Sequence, residues 1–489
     1  MNRKMVFYIL GRMLLVESVL LILPTACAII YKEDCVFSFL ITIGVAVLGG
    51  LLLTLPNRTK DRMIFAKEGF VIVALGWITL SLVGALPFRL SGEIPSFIDA
   101  FFETVSGFTT TGASILNDVE SMSHGLLFWR SFTHWVGGMG ILVLVMAVVP
   151  TDTGRSMHLM RAEMPGPIIG KLVPKIKSTA KILYLIYIVL TAILVLLLCL
   201  GGMSLYESLI HSFGTAGTGG FSTRASSIGG YSPYIQWVIT IFMLIFGFNF
   251  NLFYLVLTRK ITSALKSEEL WTYIAIVLFT TTIITFNVYS QFGNLNETIR
   301  HSAFQVSSII TTTGYATVDF NLWSTASKTV LFILMFIGGC AGSTAGGLKV
   351  SRVILIFKTV KANLKHMLHS RSVESIKFEG KKVDRPTINN VTCYFAVYFI
   401  CLFAVIFIIS FDPFDFETHI SAAVSCFNNV GPAFSAAGPA SSYAAYSDIS
   451  KIALSGAMLL GRLEIFPILL LFSPTAWTKK RAMKGSQNV

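Results

Sequence analysis

The chain has 489 residues, of which 54% are apolar and only 13% charged, about half the charged share of a soluble domain. That composition excludes a soluble globular protein, because the polar residues are too few to cover the apolar core, and it makes lipid the solvent. The formal net charge of +13 does not point to nucleic acid, because the basic residues are dispersed over alternate connections rather than gathered in one patch.

In chain order, apolar stretches long enough to cross a hydrocarbon layer as helices are Met5–Ile30, Val36–Leu55, Gly69–Leu90, Phe128–Val149, Ile182–Gly201, Tyr234–Leu257, Leu270–Val288, Val330–Ile356, Val391–Ile409 and Ile452–Phe472. The start at Met1–Lys4 has the basic-then-apolar pattern of a signal peptide. No small-residue cleavage site stands out near Ala26–Ile29, so it reads as a retained helix. Basic clusters lie at Arg58, Lys60, Arg62 and Lys67, at Arg155, Arg161, Lys171, Lys175 and Lys177, and at Arg259, Lys260 and Lys266. The stretch Lys349–Arg385 and the tail Lys479–Lys484 continue the series, while Glu93, Asp99, Glu103, Asp118, Glu120, Asp412, Asp415 and Glu417 occupy the intervening connections. This alternation predicts basic loops and both termini in the cytoplasm. The cysteines (Cys27, Cys35, Cys199, Cys340, Cys393, Cys401, Cys426) show no metal-ligand spacing and read as small buried hydrophobes.

Four connections on the acidic side share one pattern: a short semi-polar helical run, a Thr, Gly or Asn cluster, then small residues. They are Ser96–Ser114, Ser204–Ser222, Glu297–Thr317 and Phe416–Ser435. Aligned on Gly112, Gly219, Gly314 and Gly431, they recur about every hundred residues, each between two apolar spans. Re-entrant backbone of this kind is tolerated in a membrane only where protein or a water-filled cavity surrounds it. The expected fold is therefore an all-α integral membrane protein, with two N-terminal helices followed by four span–pore-loop–span repeats around a pseudo-fourfold pore. The units are 1–68, 69–175, 176–267, 268–386 and 387–489.

The third loop, Thr312-Thr313-Gly314-Tyr315, is close to the pattern of a potassium-channel filter, in which backbone carbonyls replace the ion's hydration shell. Glycine permits positive φ, so successive carbonyls can turn to one side, and threonine adds a hydroxyl on a stiff backbone. The other candidate ion-binding residues are Thr110, Thr111 and Gly112, then Gly217, Thr218 and Gly219, then Asn429, Val430 and Gly431. Pore helices ending near Phe108, Thr215, Ile310 and Phe427 would turn their negative dipole ends to a central cation. The acidic residues Glu103, Asp118, Asp319, Asp412 and Asp415 form a candidate outer rim that concentrates cations.

On these residues the whole chain resembles the Trk/Ktr/HKT superfamily of cation transporters, specifically the bacterial Trk-type potassium-uptake membrane subunit. The resemblance implies K⁺ as the transported ion, no cofactor in this chain, and residence in the bacterial inner membrane. It also implies a homodimer and a cytoplasmic, TrkA-like nucleotide-binding regulatory ring docked on the basic face; lipid is the other partner, and nucleic acid is not one. In this superfamily a serine at the first filter glycine goes with Na⁺ permeation, so the retained Gly112 implies K⁺ preference. Channel-like permeation, symport coupled to H⁺ or Na⁺, and a less selective Na⁺/K⁺ permease all remain open on the residues. A membrane enzyme is disfavoured, since no HExxH or GxSxG pattern occurs.

The segment Ile337–Lys349 is glycine-dense and should break its helix. In the resembling superfamily a loop at this place gates the pore, which makes Gly338, Gly339, Gly342, Ser343, Gly346, Gly347 and Lys349 gate candidates. For Arg462, a cation inside the last span, the resemblance implies a place on the pore axis under the filter, repelling cations or holding that loop; the plainer reading is a salt bridge with Glu464 or a neighbouring helix. His134 and Trp135 read as an interfacial anchor, His211 and His301 as structural, and Asn249 and Asn251 either as caps at a helix break at Gly247 or as cavity-facing residues.

Overall fold

A computed structural model describes residues 1–58, 66–140, 176–369 and 375–477. Lys60, Arg62, Arg155, Arg161, Lys171, Lys175, the tail Lys479–Lys484 and the part of the predicted span Phe128–Val149 beyond Gly140 lie outside the described residues. The described chain is almost wholly helical, and its only β-structure is a two-stranded hairpin, Lys377–Phe378 paired with Lys381–Lys382. Among the described residues six helices are long and apolar enough to span a bilayer: Arg3–Tyr31, Val36–Thr54, Lys67–Ser91, Lys181–Leu200, Glu268–Phe292 and Arg385–Ile409. Phe286, Phe403 and Phe407 stand exposed on the last two of these, where lipid would cover them.

The expectation of ten continuous spans is corrected at the remaining four. The helices that follow the pore loops are short: His124–Gly138, Pro233–Phe246, Thr325–Ile337 and Asp448–Arg462, with 15, 14, 13 and 15 residues. At about 1.5 Å per residue they reach roughly 20 Å, short of a 30 Å hydrocarbon layer. Each starts after a serine: Ser123, Ser232, Ser324 and Ser447 occupy the N-cap, and the last three accept the backbone N–H of the third helical residue. Their ends differ. The second stops at Gly247 and resumes as Phe250–Leu257 after an 89° bend, with Asn249 capping the new helix. The third runs into Gly338 at φ +73°. The fourth ends where Glu464 and Ile465, neither a glycine, adopt left-handed φ.

Between each long helix and its short partner sits a pore helix: Phe97–Phe108, Leu205–Gly217, Leu295–Ile310 and Phe416–Phe427. Three end where the sequence places them, and the second runs two residues past Thr215. The packing order is cyclic, because each short helix lies against the pore helix of the following unit, and Asp448–Arg462 closes the circle on Phe97–Phe108.

A buried ion pair lies within the first unit, and its arginine reaches on into the second. Arg130 Nε donates to Glu103 Oε1 at 2.5 Å, its Nη1 to Ser222 O at 3.3 Å, and its guanidinium stacks 3.5 Å from the Phe221 ring. Glu103 also accepts from Ser114 Oγ and Ile115 N, and both partners are buried. The placement of Glu103 on a solvated rim is thus corrected: its charge is spent inside the protein. Asp118 is exposed as expected, and Asp415, with the Thr418 hydroxyl donating to it, is held below the usual carboxylate range and stays ionised at neutral pH. Removing one member of a buried pair leaves the other charge uncompensated. Glu103→Ala is therefore expected to destabilise the protein by about 3–5 kcal/mol, read as a lowered thermal unfolding midpoint in detergent, while Asp118→Ala leaves the midpoint where it was.

Candidate ion-conduction site

The four pore loops share a backbone conformation that their sequences do not share. In each, a non-glycine residue at left-handed φ is followed two positions later by a glycine at positive φ: Thr110 and Gly112, Thr218 and Gly220, Thr312 and Gly314, Asn429 and Gly431. The intervening amide bonds back into its pore helix in every case, Thr111 N to Ser106 O, Gly219 N to Gly214 O, Thr313 N to Ser308 O and Val430 N to Ser425 O, at 2.8–2.9 Å. This alternation of φ sign leaves successive carbonyls able to face one side, the arrangement a dehydrated cation needs.

The glycines then lock the loops to one another. A Cβ on Gly112 would stand 2.0 Å from Gly219 O, one on Gly220 2.0 Å from Thr313 O, one on Gly314 2.2 Å from Val430 O, and one on Gly431 2.5 Å from Thr111 O. The sequence of contacts closes: first loop on second, second on third, third on fourth, fourth on first. It also corrects the alignment of the second loop. The residue equivalent to Gly112, Gly314 and Gly431 is Gly220, so the second triplet is Thr218-Gly219-Gly220. Gly217 ends the pore helix, its Cβ position 2.2 Å from His134 O.

Around this ring, side chains form a cuff. Tyr315 is fully buried and its hydroxyl donates to His211 O and Phe221 O; Tyr443 donates to Gly431 O at 2.8 Å. Asn429 Nδ2 bridges Thr111 Oγ1 and Met458 O. His211 and His301 make structural hydrogen bonds, to Glu207 O and Ser222 Oγ and to Thr317 Oγ1. His134 is no interfacial anchor: it is fully buried, Nδ1 lies 2.7 Å from Gly107 O, and its ring abuts Gly219.

Residues 338–349 form an irregular segment seated against the inner ends of the third and fourth loops. Gly346 N donates to Thr312 Oγ1 at 2.7 Å and Gly347 N to Asn428 O at 3.1 Å. Gly346 has no room for a side chain, since a Cβ would meet Asn428 O at 2.3 Å. Gly338 and Gly347 lie against each other, Gly339 sits near Gly247 O, and Gly342 faces the Asn249 side chain. Ser343 Oγ donates to Cys340 O, and the Lys349 ammonium folds back onto Ala345 O. Arg462 reaches across: Nη1 donates to Thr344 O at 2.7 Å, and Nη2 to Gly137 O and Gly138 O at 2.6 and 2.7 Å. One guanidinium thereby joins the irregular segment to the C-terminal carbonyls of the first short helix, where the helix dipole favours a cation. Glu464 pairs with Arg352.

Some contributors were not singled out from the sequence: Gly220, Arg130, Arg352 and Glu269. Arg130 lies inside a predicted apolar span, and an intramembrane charge is itself a signal of a specific partner.

A sequence profile of the TrkH family, described as a cation transport protein, matches residues 36–480. The chain is 38% identical over 487 residues to the Trk system potassium uptake protein TrkH of Salmonella typhimurium, covering 98% of this chain and all of that one. It is 35% identical over 483 residues to the Trk system potassium uptake protein TrkG of Escherichia coli, with 97% and 98% covered. The crystal structure of the potassium transporter TrkH from Vibrio parahaemolyticus superimposes with a TM-score of 0.88 at 32% identity, covering 98% of this chain and 100% of that one.

The ring geometry makes a register test possible. Gly220→Ala is expected to abolish cation flux, followed with rubidium in liposomes, as completely as Gly314→Ala does. Gly230→Ala, whose new Cβ would have 3.5 Å to its nearest neighbour, should leave flux unchanged. Tolerance of Gly220→Ala would return the register to Gly219.

Proposed function

The chain belongs to the TrkH family of cation transport proteins, and from that premise we propose that it carries K⁺ into the cell across the bacterial inner membrane, through the ring formed by residues 110–112, 218–220, 312–314 and 429–431. It is a transporter and not an enzyme. The observation that carries the K⁺ reading is the closed ring of loop-on-loop backbone contacts, which supplies carbonyl oxygens from four directions and no carboxylate. Uncharged oxygens at fixed spacing replace a hydration shell without holding the ion too tightly to release it.

The segment 338–349 is the gate, and Arg462 is its latch. It lies against Thr312 and Asn428 at the inner end of the ring, so an ion leaving the filter meets it first. Lys349 and Arg462 add positive charge at this level, which opposes a cation until the segment moves. The units at 69–175, 176–267, 268–386 and 387–489 act as four quarters of one pore, behind the N-terminal pair of helices in 1–68. Basic connections and both termini face the cytoplasm, where a nucleotide-binding ring would act on the gate, and two chains would associate, each with its own pore.

Rubidium and sodium fluxes in liposomes test both parts. The parent should pass Rb⁺ well above Na⁺. Gly112→Ser places its Cβ 2.0 Å from Gly219 O, so it should spread the first and second loops and lose that preference. Arg462→Ala removes three carbonyl contacts and should raise basal flux about tenfold or more, since each charge-assisted bond contributes about 1.5–3 kcal/mol. Equal Rb⁺ and Na⁺ flux in the parent would overturn the selectivity reading, and unchanged basal flux in Arg462→Ala would remove the latch.

A further inference from the structure

Glu269 is the second residue of the long helix Glu268–Phe292 and is 4% exposed. Its carboxylate does not cap its own helix. Instead Oε1 accepts two backbone N–H groups from elsewhere, Ala341 N at 2.7 Å and Ser351 N at 3.1 Å. Ala341 lies near the start of the glycine-dense segment and Ser351 just beyond its end. One oxygen atom therefore fixes the two ends relative to each other, beside the backbone bonds Val350 N to Gly339 O and Leu348 N to Phe336 O, both 3.0 Å. A buried backbone N–H left without an acceptor costs free energy, so one oxygen that takes both amides holds both ends of the segment.

Behind Glu269 stands a second carboxylate. Glu379, in the turn of the small hairpin, accepts from Ser267 Oγ at 2.8 Å and from Glu269 N at 3.1 Å through one oxygen. Ser267 is the N-cap, accepting from Leu270 N at 3.3 Å; Glu379 holds that cap's hydroxyl and takes the Glu269 N–H, and so sets where Glu269 stands. The hairpin is itself moored: Phe378 is buried, Val383 N bonds Ile376 O at 2.9 Å, and Lys358 Nζ donates to Lys377 O at 2.8 Å while pairing with Glu268. A continuous path of polar contacts runs from the basic-face hairpin through the helix start to both ends of the segment under the filter.

We propose that Glu269 is the positioning residue that clasps the gate segment shut, and that the Glu379 hairpin is the lever through which a force on the basic face releases it. This rests on the reading of 338–349 as the gate. Withdrawing Glu379 leaves the Glu269 N–H and the Ser267 hydroxyl without their acceptor, Glu269 shifts, and Ala341 and Ser351 lose their shared acceptor together. A purely local role would leave the segment's behaviour indifferent to Glu379, which contacts neither Ala341 nor Ser351.

The test uses the full chain in liposomes, with basal Rb⁺ flux and, by mass spectrometry, the rate of maleimide labelling at Cys340, a fully buried thiol within the segment. Glu269→Ala is expected to raise basal flux about tenfold or more and to expose Cys340. Glu269→Gln keeps an oxygen acceptor in place and should stay within about twofold of the parent, because one carbonyl oxygen can take both amides. Glu379→Ala should raise flux severalfold and add nothing on top of Glu269→Ala, as two groups acting through one path do. If Arg462→Ala leaks while Glu269→Ala and Glu379→Ala match the parent and Cys340 stays protected, the clasp is overturned and the gate stands. If none of the three leaks, the gate reading falls and takes the clasp with it. Should Glu269→Ala fail to assemble, Glu379→Ala decides alone, and unchanged flux there overturns the proposal.

Discussion

A carbonyl of each pore loop stands about 2–2.5 Å from the place a side chain on the preceding loop would need, and that mutual exclusion is what the rest of the architecture is arranged around. Backbone atoms so close cannot be positioned one loop at a time, because the position of each is defined by the next and the last defines the first. The helices repeat the same logic at larger scale. Each short helix packs on the pore helix of the following unit, so no unit buries its apolar surface alone. The shortness of those helices follows: helices that continued straight through would occupy the space beneath the ring, where the segment 338–349 and Arg462 now lie. Their broken ends leave free carbonyls, and Gly137, Gly138 and Phe246 find donors for theirs in Arg462 and Thr344.

Charge inside the apolar layer is used in two distinct ways. Arg130 with Glu103, and Arg352 with Glu464, are ion pairs between units or segments; breaking either strands a charge, so these contacts are fixed parts of the scaffold. Arg352 is held further by stacking 4.3 Å from the Tyr394 ring. Arg462 also donates to backbone carbonyls of two separate segments, and one of these, Thr344 O, lies in the segment proposed to open and close.

Much of this was legible in the sequence, and what was not has identifiable causes. The pore loops showed themselves through Thr-Thr-Gly and Asn-Val-Gly beside short semi-polar runs, and the irregular segment through glycine density. The second loop offers three glycines among Gly217, Gly219 and Gly220, and no local rule chooses between them. Only contact with Thr313 O selects Gly220, and contact between loops is not written in one loop's sequence. The break after Arg462 carries no glycine, because Glu464 and Ile465 take left-handed φ under tertiary constraint. A span such as Ile452–Phe472 therefore reads as continuous by hydropathy, although its backbone turns in the middle. Glu103 looked like a rim acid because its partner Arg130 is distant in sequence, and pairing of that kind emerges only with the fold.

The ring and the segment beneath it are held by forces of different character, and that difference suits the filter and gate roles proposed for them. At the ring, the glycine contacts leave no room for a side chain on any of the four loops, so its geometry is sterically fixed. The segment is poor in apolar side chains; its attachments are polar, from Gly346 N to Thr312, Gly347 N to Asn428, Thr344 O to Arg462, Cys340 N to Gly247 and Ala341 N to Glu269. Neutral bonds of this type contribute about 1 kcal/mol each and charge-assisted ones about 1.5–3. A two-state element needs about 5.5 kcal/mol of differential binding to move from almost wholly one state to almost wholly the other. A handful of polar contacts lies in that range, whereas a packed apolar plug of the same length would not release under a regulatory force of that size. Glycine at these positions serves both requirements of the proposed gate: it lets the backbone approach the ring closely, and it leaves little buried side-chain surface to keep it there.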